Sequence, residues 1–330
     1  MSQEEGPGGP ELVGLPVADA VEAVLAEEDS RDRGTVRATL ETVAEDGVVS
    51  EAALESRLGE VAKVVSTPET RVEFAAIELS EARETAEEAG VAGLDVVRAR
   101  VEGYESRLAA VEEDVGALGP ELRGIVDRRE AGASAYEVAA ELRALEAEAN
   151  ELHRAADELG VDVEEFGRWL ADPGTRHDEF EEELEAVEGS LDALAGTADD
   201  LDAAGAADDD ASLPAEPGVV WADAALRTRV TALLLADLRD EHEDLRAWPV
   251  GEDEDDPTRF EELEDRLGSA ERRCEGMEER LDDLSRPAWT ERFGDRLDGL
   301  DDTLDRFEPP IPWGEVEEEL ERHREGLGRA

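Results

Sequence analysis

Apolar residues spaced alternately three and four apart constrain this chain more than any other feature. From Leu94 they recur at Val97, Val101, Tyr104, Leu108, Val111, Val115, Leu118, Leu122 and Ile125. That spacing keeps one face of a helix apolar through successive heptads. A second run takes Val138, Leu142, Leu145, Ala149, Leu152, Ala156 and Leu159, continuing in phase to Val163, Phe166 and Leu170, and a third takes Phe180, Leu184, Val187, Leu191, Leu194, Ala198 and Leu201. Gly119-Pro120 interrupts the first run without shifting its phase, so the helix either kinks or restarts there. Ser134 and Glu137 form a capping box that opens the second run, and Pro173-Gly174 closes it. β-branched residues are scattered and no stretch sustains period-two alternation, so no strand is expected. The class is all-α: heptad-patterned helical bundles or antiparallel coiled-coil hairpins, with a small N-terminal helical unit.

Turn chemistry divides the 330 residues further. Residues 1–16 hold Gly6-Pro7-Gly8-Gly9-Pro10 and read as a flexible arm. Residues 17–90 read as four helices (17–27, 35–45, 50–65 and 68–88), with Asp46-Gly47 as a helix stop, Ser50 as a cap and Thr67 capping ahead of Pro68. Residues 91–202 are expected to form a three-helix coiled-coil bundle. Residues 203–218 lose periodicity and read as an acidic linker. Residues 219–330 form a C-terminal helical bundle, with an acidic loop at 251–257. In it, Leu263, Leu267, Ala270, Cys274, Met277 and Leu281 are expected to face Phe293, Leu297, Leu300, Leu304, Phe307 and Ile311 in reverse order. An antiparallel hairpin would set Leu281 against Phe293 and Cys274 against Leu300.

The charge narrows the classes of function. Asp and Glu number 91 against 33 Lys and Arg, a formal charge of -58. A nucleic-acid binder needs a cationic footprint, and no long stretch supplies one. The longest apolar runs, such as 230–236, fall far short of the roughly 18 residues of a membrane span. The first residues lack the positive region and apolar core of a secretion signal, and one cysteine, Cys274, makes neither an internal disulfide nor a metal cluster. A cytoplasmic setting is expected. Lys63 is the sole lysine, and the acidic residues are dispersed along the chain. This pattern resembles the proteome-wide bias of salt-in halophilic archaea, whose solvent shrinks the screening length to about 3 Å at 1 M. In such a solvent the charge says less about partners.

Signatures of chemistry are missing: there is no phosphate loop, dinucleotide fingerprint, zincin helix or serine elbow. The acidic stretches 199–210 and 252–256 lack the alternating ligands and turn glycine of a calcium loop. His242 lies in Asp240-Glu241-His242-Glu243-Asp244-Leu245-Arg246, which is similar to a phosphoacceptor box. Asp244 is an extra residue there and rotates Leu245 and Arg246 by about 100° around the helix. The plainer reading is an exposed helical histidine. Trp169, Trp221, Trp248, Trp289 and Trp313 lie near helix ends, as bundle closures or as partner anchors. Residues 35–65 are compatible with a helix-turn-helix, but its second helix presents Glu51, Glu55, Arg57, Glu60 and Lys63, more acid than base readout wants. No catalytic, cofactor-binding or metal residue is assigned, and no cofactor or small-molecule substrate is expected.

The blocks 64–71 (VVSTPETR), 94–100 (LDVVRAR) and 221–227 (WADAALR) resemble the haloarchaeal proteins labelled halo transducer proteins, over most of the chain. The resemblance implies signal transduction in a halophilic archaeon. The chain departs from membrane chemotaxis transducers in having no transmembrane pair and no long signalling hairpin, and no functional residue carries over. The expected function is a non-catalytic scaffold or adaptor working through protein–protein contact. The alternatives are a transcriptional regulator using 35–65, with negligible DNA affinity expected at high salt, and phosphotransfer at His242.

Like charges one helical turn apart each cost a few tenths of a kcal/mol without screening. Helix content is therefore expected to fall as KCl is withdrawn, measured by circular dichroism across a salt series. Full helicity in dilute buffer would refute the reading of the charge as tuned to brine.

Overall fold

The computed structural model of the chain describes residues 11–28, 30–207, 216–248, 257–325 and 327. They form an all-α protein with one small hairpin. Its helices are α1 (Val17–Glu27), α2 (Arg33–Glu41), α3 (Glu51–Val65), α4 (Thr67–Glu88), α5 (Asp95–Glu130), α6 (Ala135–Ala171), α7 (Pro173–Ala207), α8 (Pro217–Ala247), α9 (Pro257–Leu284), α10 (Pro287–Leu304) and α11 (Trp313–Arg324). The strands β1 (Ala44–Glu45) and β2 (Val48–Val49) lie between α2 and α3.

The hairpin corrects the expectation of no strand. Asp46 and Gly47 have φ of 51° and 78°. Two successive positive φ values are what a two-residue hairpin turn requires, and Asp-Gly meets that requirement best. The same dipeptide reads as a helix stop when the flanking strands are only two residues long. The hairpin also ties down residues expected in a flexible arm: the Gly14 amide donates to the Val49 carbonyl at 2.8 Å, and Val49 donates to Leu15 at 3.0 Å. Leu12 is buried in the core. Residues 1–10 of that arm lie outside the described residues.

Among the described residues the chain divides into two units. One takes those up to 84 with 101–167, and the other takes 85–100 with those from 168 onward. Residues 91–202, expected as one bundle, contribute to both. In the first unit, Val21, Val36, Leu40, Leu54 and Val61 pack with Leu118 and Ile125 of α5 and with Val138, Leu142 and Leu145 of α6. α5 runs unbroken through Pro120. The capping box forms as its spacing implies: the Ser134 amide donates to Glu137 Oε2 at 2.8 Å, and the Glu137 amide to Ser134 Oγ at 3.2 Å. Ser50 likewise accepts from the Ala53 amide. Thr67 differs, because its hydroxyl donates back to the Lys63 carbonyl at 3.0 Å.

In the second unit α7, α8 and α9 pack mutually, and their predicted seam residues from Phe180 to Leu201 and from Leu263 to Leu281 are buried. Arg259 pairs with Asp178 and Glu181, Arg266 with Glu181 and Glu188, Arg273 with Asp192, and Arg280 with Asp199. These arginines recur every seventh residue, and three of the pairs are each 81 residues apart. A constant offset means that α7 and α9 run parallel. Arg239 pairs with Glu271 and Arg246 with Glu264, so α8 returns antiparallel to α9.

The α9–α10 hairpin expected from the short connection does not form. α9 packs against α7 and α8, whereas α10 packs against α8 and α11. Cys274 Sγ faces the Thr228 carbonyl at 3.6 Å, and Trp221 Nε1 donates to the Leu281 carbonyl at 2.8 Å. A groove of about 390 Å³, with Trp221 of α8, Leu281 of α9 and Leu297 of α10 among its walls, lies where layered contact was expected. The α9 seam is already taken by α7 and α8. The expected linker is also shorter at both ends. α7 extends through the alanine-rich stretch to Ala207 and α8 starts at Pro217, while 208–215 lie outside the described residues. Of the expected acidic loop, 251–256 lie outside them and Pro257 begins α9.

Leu267 is fully buried, so Leu267→Ala is expected to destabilise the protein by about 3 kcal/mol. Arg266→Ala is expected to lose less than about 1 kcal/mol, as exposed ion pairs do. Urea unfolding at fixed KCl measures both, and an arginine loss equal to the leucine loss would reverse the ranking of seam over ladder.

Candidate functional site

The most unusual chemistry lies in the second unit, where the first turns of α5 meet α7 and α8. Asp244 on α8 accepts the Val96 amide at 2.8 Å, capping the α5 N-terminus from another helix. One turn on, Arg100 Nη2 lies 2.7 Å from Glu179 Oε1 on α7 and 3.2 Å from Glu241 Oε1 on α8. Its guanidinium carbon sits 4.3 Å from the centroid of the Trp169 ring. That stacking fixes the plane of the guanidinium and shields it from water on one side.

Beside this arginine is a cavity of about 250 Å³ lined by Arg100, Glu183, Asp237, Asp240 and Glu241 and walled by Trp313. Asp237 accepts from Trp313 Nε1 at 2.7 Å and from the Ile311 amide at 3.0 Å. Burial nevertheless raises its carboxyl above the ordinary range, against those two donors. Glu183 is raised by burial and by neighbouring acids, against the pull of Arg100. Burial raises Asp240 as well, helped by Asp244 and Asp95. Glu241 is pushed up to about 7, chiefly by burial and then by Glu183, Glu179 and Asp237, with Arg100 opposing. One cation shared among several crowded carboxylates does not favour the ionised form of all of them. The chemistry this arrangement supports is the exchange of a proton.

His242, the one histidine singled out in the sequence, faces another way. It is 1% exposed, which corrects the expectation of an exposed residue. Its Nε2 lies 3.4 Å from the Phe260 carbonyl, and its ring lies against Phe180 and Phe260. His177 packs edge-on to Phe260 at 4.3 Å. At the α6–α7 corner, Arg176 donates to the Trp169 and Leu170 carbonyls at 2.9 and 3.0 Å and stacks on Trp248. Asp172 caps α7 through Gly174 and Thr175. Trp169, Trp221 and Trp248 are thus packing residues, whereas Trp289 and Trp313 are half-buried.

The helix-turn-helix candidate resolves into α2, the hairpin and α3. Arg129 of α5 holds Glu51 and Glu55, and Arg57 is engaged by Glu146 and Glu60. Among the described residues no group of three or more His, Cys, Asp or Glu is arranged to hold a metal ion, and no helix is long and apolar enough to cross a membrane. Cys274 is buried, and burial pushes its thiol up to about 11. Comparison with protein-family models, with curated proteins and with solved structures finds no match.

Sequence reasoning passes over Arg100 and Glu241. Arg100 ends the 94–100 block and Glu241 sits in the box around His242, so the site is carried by the neighbours of the histidine and not by the histidine itself.

Burial holds the His242 imidazole below its ordinary range, against the Phe260 carbonyl and Glu264. The unfolded chain takes up this proton near pH 6.5 while the native chain resists it, so stability is lost as pH falls through that region. Relative to His242→Leu, the unmodified protein is expected to lose stability between about pH 7.5 and about pH 5, read from urea midpoints. A constant difference across that range would show that the native histidine protonates freely.

Proposed function

We propose that the chain is a non-catalytic helical scaffold or adaptor that works by protein–protein contact, in the signalling of a halophilic archaeon, as its resemblance to halo transducer proteins implies. One observation carries the contact reading. Phe74 and Ile77 of α4 and Val161 of α6 are 54%, 54% and 53% exposed. Arg71 pairs with Asp157 at 3.1 Å, and Glu78 lies beside Gly160, so the two helices run alongside each other in the first unit. The three apolar side chains thus sit on neighbouring helices of a highly acidic chain. Large apolar groups left exposed on adjacent helices favour a partner over water. The regulator reading is opposed by the arginine contacts around α3, which are spent on internal glutamates, and phosphotransfer is opposed by the cover over His242.

A photo-crosslinking residue placed at Ile77 of the full chain, in cells, is expected to capture a defined protein adduct, and one at exposed Glu279 on α9 is not. Phe74→Ser should weaken the adduct formed from position 77. Equal capture at both positions, or none at Ile77, would remove the support for this surface. Salt-resistant binding of the full chain to one promoter sequence would favour the regulator instead.

A further inference from the structure

Three glutamates converge on Arg100, and one guanidinium serves them all. With Glu179, Glu183 and Glu241 ionised, this corner of the second unit carries two uncompensated negative charges beside a cavity already lined by Asp237 and Asp240. The three acids are not equally hydrated. The Glu241 side chain is 15% exposed and that of Glu179 is 37%, while Glu183 is exposed as a residue although its carboxyl borders the cavity. The least hydrated carboxylate gains most from a proton, and as a neutral acid it still accepts a hydrogen bond from Arg100 through its carbonyl oxygen.

The attachments of this segment decide what such a proton would control. Residues 95–100 reach α7 and α8 through the Val96 amide on Asp244 and through Arg100 on Glu179 and Glu241. α7 and α8 are held independently, by the buried seams they share with α9.

We propose that a proton on Glu241 latches residues 95–100 onto α7 and α8, and that its loss loosens them. This regulatory device stands apart from the reading of the chain as a scaffold. Every element packed at this corner faces Glu241 with its own groups. α5 brings Arg100, with Asp95 at its first turn paired to Arg98. α7 brings Glu179 and Glu183, and α8 itself brings Asp237, Asp240 and Asp244. Residues 311–313 bring the Ile311 amide and the Trp313 indole, both donating to Asp237. Acids outnumber the cations at this corner.

The direction of the effect is set by linkage. Val96 and Ala99 line the same cavity as Glu241, so undocking hydrates this carboxyl; because burial is the largest cause of its rise to about 7, release lowers it toward its ordinary range, against the loss of Arg100. Between that range and about 7 the docked state binds more protons, so docking is strongest on the acid side and weakens as pH rises through about 7.

Hydrogen exchange of the full chain at fixed KCl, followed on the peptide spanning 95–100 and corrected for the intrinsic pH dependence, tests this. Protection is expected to fall with a midpoint near pH 7, and Glu241→Gln is expected to stay protected and flat across the same range. Glu179→Gln should move the midpoint to lower pH, since Arg100 then serves fewer carboxylates. If Glu241→Gln does not fold, carboxyl 13C titration of glutamate-labelled native chain decides, with one signal expected to titrate near 7 and to shift downward in Glu179→Gln. Unchanged pH dependence in Glu241→Gln, flat protection in the unmodified chain, or no carboxyl titrating between about pH 6 and about pH 8 would overturn the proposal.

Discussion

The second unit depends on the burial of one apolar stripe per helix at heptad spacing. A ladder of ion pairs between α7 and α9 runs along that stripe. Arg259, Arg266, Arg273 and Arg280 of α9 recur at the heptad interval of its seam, so each stands at the edge of the seam and reaches a carboxylate of α7 at the same relative height. The apolar period sets the register and the ion pairs follow it, because a ladder of exposed pairs contributes too little to impose a register of its own.

The same logic explains why the corner around Arg100 is different. There α8 carries Asp237, Asp240, Glu241 and Asp244 in succession beside its buried stripe, and one arginine on α5 reaches Glu241 among them. Trp169 closes one side of the guanidinium, which strengthens the local field and raises the cost of leaving every acid ionised. A bundle whose exterior is dominated by solvated carboxylates therefore also contains a few that solvent reaches poorly. Those few differ in their chemistry from the rest.

The heptad period makes legible which residues a helix buries, because a period encodes a face: Phe180 to Leu201 and Leu263 to Leu281 are the observed seams. It does not say which helix that face meets, because α9 offers one stripe and the short link to α10 is silent about α7 and α8 taking it. The burial of His242 is legible too. Leu235, Leu238, His242 and Leu245 are spaced three, four and three apart, and all are buried. The Arg259, Arg266, Arg273 and Arg280 series is equally visible, but reading all charge as an adaptation to solvent hides it. Asp46-Gly47 is ambiguous, since a residue that tolerates positive φ ends a helix or turns a hairpin equally well. Arg100 and Glu241 are far apart in the chain, and no local pattern joins them.

The parallel run of α7 and α9 also bears on how the chain comes together. Contacts between residues 81 apart cannot form until α8 has been made and folded back, so the covered state of α7 waits on sequence that leaves the ribosome well after it. During synthesis α7 and α8 meet first as a two-helix pair with one open flank, and Phe180, Leu184 and Val187 lack their last neighbours until α9 arrives. Arg259 is the first rung of that ladder to emerge and Arg280 the last. The closing helix can therefore zip in from its N-terminal end, in the order in which it is translated.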